Sequence, residues 1–297
     1  MKTSVWILGD QLLAHHPALE AAKEQCALED IIVLMIESAA RVHRKRYAAK
    51  KLVLLFSAMR HYAEDLREAG FKVDYRIASD MSSALAQHVH DHHPDSMIVM
   101  KASSHRGQRF QDNLEDRLGI AVETLPNTMF LSNQFDPFPE IGVDETVRQE
   151  NFYRAMRRHF DVLMDDNGEP LGGQWNYDKK NREKLPAEFN IPEMIRFEHD
   201  AVTEDVIQSV TEKFPWVREP EGFDLAVSHA EAKKAAEDFF QHRLSHFGTY
   251  EDAMTQNEEV LFHSKLSPYL NLGLLNPLDL AKGAQEQYQN GEVEINN

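Results

Sequence analysis

The sequence predicts an α/β fold: an N-terminal doubly wound parallel sheet, then a linker, then an incomplete all-α part. Three observations carry this. The first 125 residues hold five short strand-like segments, Val5–Leu8, Ile31–Ile36, Val73–Ile77, Met97–Met100 and Ala121–Leu125. Continuous rather than alternating apolar runs such as Ile31–Ile36 are the pattern of strands buried on both faces of a parallel sheet. Stretches with helical spacing separate them, and strand–helix alternation specifies right-handed crossovers in a doubly wound sheet. After residue 200 only helical patterns remain.

The clearest of the separating helices is Arg46–Ala69, where Leu52, Leu55, Phe56, Met59, Ala63 and Leu66 recur at steps of three and four. Gly70 supplies its stop. Ser82–His92 and Ser104–Leu118 read the same way, the second ended by Gly119. Pro137, Pro139 and Phe135–Phe138 mark a loop, and Asp144–Phe160 a helix. Residues 165–200 are rich in Gly, Pro, Asn and charge, a linker by composition. Trp175 and Tyr177 within it are expected to pack on something. Helices are expected over Thr203–Lys213, Ser228–Leu244, Leu266–Leu272 and Pro277–Gln289, with Ser228 and Glu231 as a capping box and Pro277 in a first turn. The expected division is 1–143 for the α/β domain, 144–200 for a helix and linker, and 201–297 for the helical part.

At 297 residues the chain has room for about two domains. No run approaches the ~20 apolar residues of a membrane span, and the apolar start is too short for a signal peptide, so a cytoplasmic location and no membrane partner are expected. The single cysteine, Cys26, excludes an internal disulfide and an all-cysteine metal site. A net charge of −17 argues against broad attraction to nucleic acid. One local basic run, Arg41, His43, Arg44, Lys45 and Arg46, reads either as a solvated helix start or as a phosphate contact.

An open parallel sheet binds ligands at the carboxyl ends of its strands. Those ends carry Gly9-Asp10-Gln11, Glu37-Ser38 and Ala102-Ser103-Ser104. Asp10 and Glu37 could accept hydrogen bonds from a heterocycle or ribityl chain; equally, Asp10 could shape a turn and Glu37 cap a helix. No G-x-G-x-x-G follows the first strand and no P-loop motif occurs. No G-x-S-x-G elbow supports a hydrolase. His88, His90, His92 and His93 invite a metal hypothesis, since His88 and His92 share a helix face. The cluster ends at Pro94, so a solvated helix end is the reading adopted, with no metal ligand assigned. Met35, Met59, Phe239, Phe240 and Phe247 read as core. Near the C-terminus Ser264, Lys265 and Ser267 gather at a helix start, where backbone amides, hydroxyls and an ammonium suit a diphosphate.

SKLSPYLNLGLLNP (264–277) resembles the flavin-binding signature of the DNA photolyase/cryptochrome family, with His263 in place of the usual Thr. WILGDQL (6–12), FSAMRHYAEDLREAG (56–70), ENFYRAMRR (150–158), GGQWNYDKKNR (172–182) and FGTYEDAM (247–254) resemble the prokaryotic iron–sulfur branch of that family, the deoxyribodipyrimidine photolyase-related proteins, which include bacterial (6-4) photolyases. The resemblance spans essentially the whole chain. It implies that the α/β domain is an antenna domain holding 6,7-dimethyl-8-ribityllumazine, with Leu8, Gly9, Asp10 and Glu37 at the pigment. It places Ser264, Lys265, Leu266 and Ser267 at the FAD phosphates, Tyr250 on the flavin and Asp252 on the lesion side of its pocket.

Family members continue further, into helices carrying most flavin contacts, the electron-transfer aromatics, the lesion-pocket histidines and four cluster cysteines. The expectation is therefore a fragment of a longer protein, with catalytic residues and an iron–sulfur cluster outside it. The implied parent activity is light-driven repair of UV pyrimidine photoproducts, with UV-damaged DNA as partner of the full-length protein and no protein partner. Alternatives are a blue-light signalling receptor and a stand-alone pigment- or nucleotide-binding module.

Overall fold

A computed structural model describes residues 1–142, 144–177, 180–186, 188–218 and 220–297. Asp178 and Lys179 of the 172–182 motif, and Val143 at the expected domain boundary, lie outside the described residues. The elements in chain order are β1 (Thr3–Ile7), α1 (Pro17–Gln25), β2 (Ile31–Ser38), α2 (Ala39–Lys45), α3 (Ala49–Glu68), β3 (Lys72–Ala78), α4 (Met81–His92), β4 (Ser96–Met100), α5 (His105–Gln111), α6 (Leu114–Leu118) and β5 (Ala121–Leu125). There follow α7 (Leu131–Gln134), α8 (Gln149–Phe160), α9 (Ala201–Lys213), α10 (His229–His242), α11 (Leu244–Phe247), α12 (Ser267–Leu272) and α13 (Pro277–Gln289). The α-carbon trace separates into one unit of Met1–Thr128, Arg196–Glu231 and Asn271–Leu274 and another of Met129–Ile195, Ala232–Leu270 and Leu275–Asn297.

The first unit is built on a sheet of order β3-β2-β1-β4-β5, every neighbouring pair parallel. All five expected strands form, and β1 and β2 are buried along their whole length. The expected burial on both faces does not extend to the edge strands β3 and β5, which are partly to largely exposed because each has a neighbour on one side only. Successive residues serve opposite faces. Trp6, Leu34, Ile36, Met97 and Val99 join Ala84, Leu85 and Leu114 in one core layer, with α4 and α6 above it. The other face meets α3, whose buried stripe includes Leu52, Phe56, Met59, Ala63 and Leu66. The single helix expected from Arg46 is broken: Arg46 sits in the left-handed region at φ 43° as the cap of α2, and α3 starts afresh at Ala49. The helix expected over 104–118 likewise splits, α5 ending at Gln111 and α6 starting at Leu114. α1 was not anticipated; its N-cap is the ring nitrogen of His16, which accepts from the Ala18 N–H at 3.2 Å, a residue outside the usual Ser/Thr/Asp/Asn set.

Two later segments complete this unit. α9 packs along α3, tied by Arg60 to Asp205 at 2.5 Å and His61 to Asp200 at 3.2 Å. The Asn271–Leu274 segment docks through the Leu12 N–H, which donates to the Leu272 carbonyl at 2.8 Å. Gly273 there has φ +86°, and a Cβ would stand 3.1 Å from the Leu12 nitrogen. Gly273→Ala is expected to cost about 1–2 kcal/mol in a urea unfolding experiment, because both conformation and space demand glycine.

In the second unit α8 presents Arg157, 7% exposed, to the turn that follows it. Its guanidinium donates to the Val162, Leu163 and Trp175 carbonyls at 3.1, 2.6 and 3.1 Å. The Trp175 ring lies under Arg154, Arg157 and Arg158 at 5.1, 5.4 and 4.5 Å, so the linker packs on α8 through cation–π contacts. Ser228 and Glu231 form the expected capping pattern within the first unit: the Glu231 N–H donates to Ser228 Oγ at 3.2 Å and the Val227 N–H to Glu231 Oε2 at 2.8 Å. Among the described residues no helix is long and apolar enough to cross a membrane.

Candidate functional site

The sheet order reverses between β1 and β4, and the carboxyl ends of these strands are where an open α/β sheet leaves a crevice. A cavity of about 230 Å³ occurs there, reached by Leu8 and Asp10 after β1, Ser38 at the end of β2, and Ser103 and Ser104 after β4. Trp6 and Phe110 form its apolar wall, their rings in an edge-on contact at 6.0 Å. Trp6 is 1% exposed, yet its Nε1–H has no hydrogen-bond partner. A buried indole N–H without an acceptor is costly, and a polar ligand in the cavity would satisfy it. The Asp10 carboxylate, also in the cavity lining, makes no hydrogen bond or ion pair among the described residues. Arg41, Arg44 and Arg106 line the rim.

The four strand-end residues divide between the two faces of the sheet. Leu8 and Asp10 line the cavity; Gly9 and Glu37 face α3. A Cβ on Gly9 would stand 2.6 Å from Met59 Sδ, so its small size serves close packing of the strand end on α3. Glu37 neither caps α2 nor reaches the cavity. Its Oε1 accepts from Arg60 Nε at 2.9 Å and from the Tyr75 hydroxyl at 2.6 Å, with the carboxylate only 5% exposed. Burial raises the Tyr75 pKa, and the Glu37 charge raises it further. Burial alone would lower the Arg60 pKa, but its hydrogen bond to Glu37 and the charge of that carboxylate outweigh it, so the net shift is upward.

In the second unit Ser264, Lys265, Leu266 and Ser267 form the turn into α12. Ser264 Oγ accepts from the Leu266 N–H at 3.4 Å, Leu266 is buried, and Lys265 is held at φ 56° with its side chain exposed. A non-glycine residue in that region is uncommon and marks a turn whose shape is imposed. Tyr250 belongs to an aromatic cluster with Phe189, His246 and Phe262, centroids 5.4, 6.2 and 5.5 Å from its ring. Asp252, paired with Arg182 at 3.5 Å, lines a second cavity of about 690 Å³ together with Phe189, Lys184 and Asn257. The Ser264–Ser267 turn is not part of that wall.

The histidine cluster departs from its expected role. His90 and His93 are exposed, as a solvated helix end requires, but His88 is fully buried and His92 only a third exposed. The period of the pattern placed His88 and His92 together; what it could not reveal is that β3 supplies Asp74 beneath them. Trp6, Arg106 and Phe110 were likewise absent from the candidate residues, because an isolated aromatic in a strand or helix reads as core and a helical arginine as solvent-facing.

Residues 5–217 match the family described as deoxyribodipyrimidine photo-lyase-related protein. Over its full length the chain is 34% identical to a (6-4) photolyase of Agrobacterium fabrum, covering 59% of that protein. About half of it, 49%, is 26% identical to uncharacterized protein R852 of Acanthamoeba polyphaga mimivirus, covering 76% of that protein. Among solved structures, a cryptochrome from Synechocystis shares the fold over 99% of the chain with a TM-score of 0.62 and 15% identity. A class III photolyase from Agrobacterium tumefaciens does so over 98% with a TM-score of 0.55 and 15% identity. The chain spans 57% of the length of each of these two solved chains. With most of its residues matched and a whole-length relative at this level of identity, the chain belongs to the deoxyribodipyrimidine photo-lyase-related family.

Proposed function

We propose that this chain is the pigment-binding part of a light-driven DNA-repair flavoprotein whose full-length form splits UV pyrimidine photoproducts of the (6-4) type. The observation that carries the reading is the 34% identity to a (6-4) photolyase over the whole chain. The strand-end cavity fits a lumazine antenna: at about 230 Å³ it lies below the roughly 300–1,000 Å³ common for ligand pockets, suiting one bicyclic ring rather than a dinucleotide. Trp6 Nε1–H would donate to a ring carbonyl, and Asp10 would accept from ribityl hydroxyls. Phe110 offers an apolar ring face.

Reduced FAD would supply the photoexcited electron donor of repair. The exposed Lys265 ammonium with the Ser264 and Ser267 hydroxyls offers donors for its diphosphate, and Tyr250 an aromatic edge for its ring system. Asp252 would face the lesion side. An iron–sulfur cluster requires four thiolates or equivalent ligands, and Cys26 alone does not fit it.

The test is an absorption spectrum of the purified chain, with released chromophore identified by mass spectrometry. Lumazine without flavin is the expected result. A colourless protein that stays empty after incubation with both pigments overturns the antenna reading. In pigment titrations Asp10→Ala is expected to weaken lumazine binding roughly 10- to 100-fold, the equivalent of about 1.5–3 kcal/mol for a charge-assisted hydrogen bond. Repair of a (6-4)-containing oligonucleotide by the full-length protein separates repair from blue-light signalling, a role the cryptochrome-like fold serves equally.

A further inference from the structure

The last turn of α4 and the edge strand β3 bring together three groups that neither the antenna cavity nor the flavin turn uses. Asp74, in the middle of β3, places Oδ2 2.7 Å from His88 Nδ1 and 3.1 Å from His92 Nε2. His88 and His92 lie at i and i+4 on α4, with ring centroids 4.9 Å apart. One ligand atom from each of the three residues lies within 4.8 Å of the others. The cluster continues inward to Ser4 Oγ, 2.7 Å from His88 Nε2. Its Ser–His–Asp connectivity is that of a hydrolytic triad, but Ser4 and His88 are both fully buried, Ser4 within β1 beneath α4, so no substrate reaches the hydroxyl.

We propose that Asp74, His88 and His92 form a binding site for a divalent transition metal of the zinc class. Two imidazole nitrogens and one carboxylate oxygen are a donor set for zinc, and three protein ligands leave a fourth position for water. In a tetrahedral zinc site with bonds of about 2.0–2.2 Å, ligand atoms stand about 3.3–3.5 Å apart. Asp74 Oδ2 lies within about half an ångström of that separation from His92 Nε2 and about 0.7 Å inside it from His88 Nδ1, so side-chain rotations of these residues would close the site. With metal bound, Ser4 Oγ, 2.7 Å from His88 Nε2, would accept from Nε2–H and so support the tautomer whose Nδ1 coordinates. His92 is a third exposed, so the open position faces solvent and metal has a way in.

The competitor for the carboxylate is Arg76, whose guanidinium lies 2.7 Å from Asp74 Oδ2. It has a second partner in Asp91 at 2.8 Å, which Gln87 in turn orients at 2.7 Å. Metal entry therefore shifts Arg76 onto Asp91 without leaving it unpaired. His90 and His93, with rings 6.1 Å apart, are exposed and belong to no three-ligand cluster among the described residues.

The test uses the whole chain, stripped with a chelator, titrated by calorimetry with zinc chloride and separately by visible absorption with cobalt(II) chloride. One equivalent of zinc is expected, with the ligand-field bands of a four-coordinate cobalt site. His92→Ala, at a partly exposed position, is expected to lose at least tenfold in affinity while its circular dichroism stays unchanged. His90→Ala/His93→Ala is expected to bind as the natural chain does. Absence of saturable binding by the natural chain, or undiminished binding by His92→Ala, overturns the site. Loss of binding in the His90/His93 variant alone overturns it equally, by placing the metal on the surface.

Discussion

Arg60→Ala is expected to destabilise the first unit by about 3–5 kcal/mol, the cost of leaving a buried carboxylate without its cation. Glu37 is 5% exposed and Arg60 15%, so neither charge has much water to fall back on. Arg60 also bridges β2 to α9, since the same guanidinium that holds Glu37 at 2.9 Å holds Asp205 at 2.5 Å. The variant thus removes a counter-ion and a cross-link together. The Tyr75 hydroxyl stays on Glu37 at 2.6 Å and tempers the loss without supplying charge. Urea unfolding followed by tryptophan fluorescence reads the effect. Lys23→Ala, which breaks an exposed pair with Glu20, serves as control and should move stability by less than about 0.5 kcal/mol. A loss from Arg60→Ala as small as the control's would mean that Glu37 is hydrated or protonated when unpaired.

The sheet was legible because its signal is collective. Continuous apolar runs such as Ile31–Ile36 cannot be satisfied except by burial on both faces, and β2 is indeed buried from Ile31 to Ser38. The interruptions were less legible. Nothing in the apolar period near Arg46 announces a left-handed residue, and the split of α5 from α6 comes at Asp112 and Asn113, polar residues that a helix tolerates. For the candidate site, position along a strand predicted which residues reach the carboxyl ends but not which face they serve. Asp10 and Glu37 look equivalent in sequence; alternation along the strand and the arginine at position 60 send Glu37 to the α3 face. Phe110, which completes the cavity beside Trp6 and Asp10, and Asp74, which completes the histidine cluster, sit on other elements than the residues they serve, so only tertiary structure could join them.

Acidification below about pH 6.5 is expected to destabilise the first unit through its buried histidines. His16 is fully buried, and burial pushes its pKa down from 6.5 to about 3. Above pH 6.5 neither state binds the proton and stability is unaffected. As pH falls from 6.5 towards 3 the unfolded chain takes up a proton that the folded chain refuses, so stability declines. At about pH 4 the loss from His16 is about 3 kcal/mol, from 1.36 kcal/mol per pH unit of separation. His229 and His88 are also lowered by burial and act in the same direction. Asp74 acts in a different window: burial would raise its pKa, but hydrogen bonds from His88 and Arg76 prevail and hold it at about 2. Its contribution is intact above pH 4 and is lost only as pH falls towards 2. The check is His16→Asn, which keeps a side-chain acceptor for the Ala18 N–H at the start of α1. Its stability at neutral pH should fall, since a smaller side chain leaves a void, but its decline between about pH 7 and pH 4 should be shallower than that of the natural chain. Parallel declines in urea midpoints across that range would show that His16 is protonated in the folded state, and that the acid sensitivity lies elsewhere.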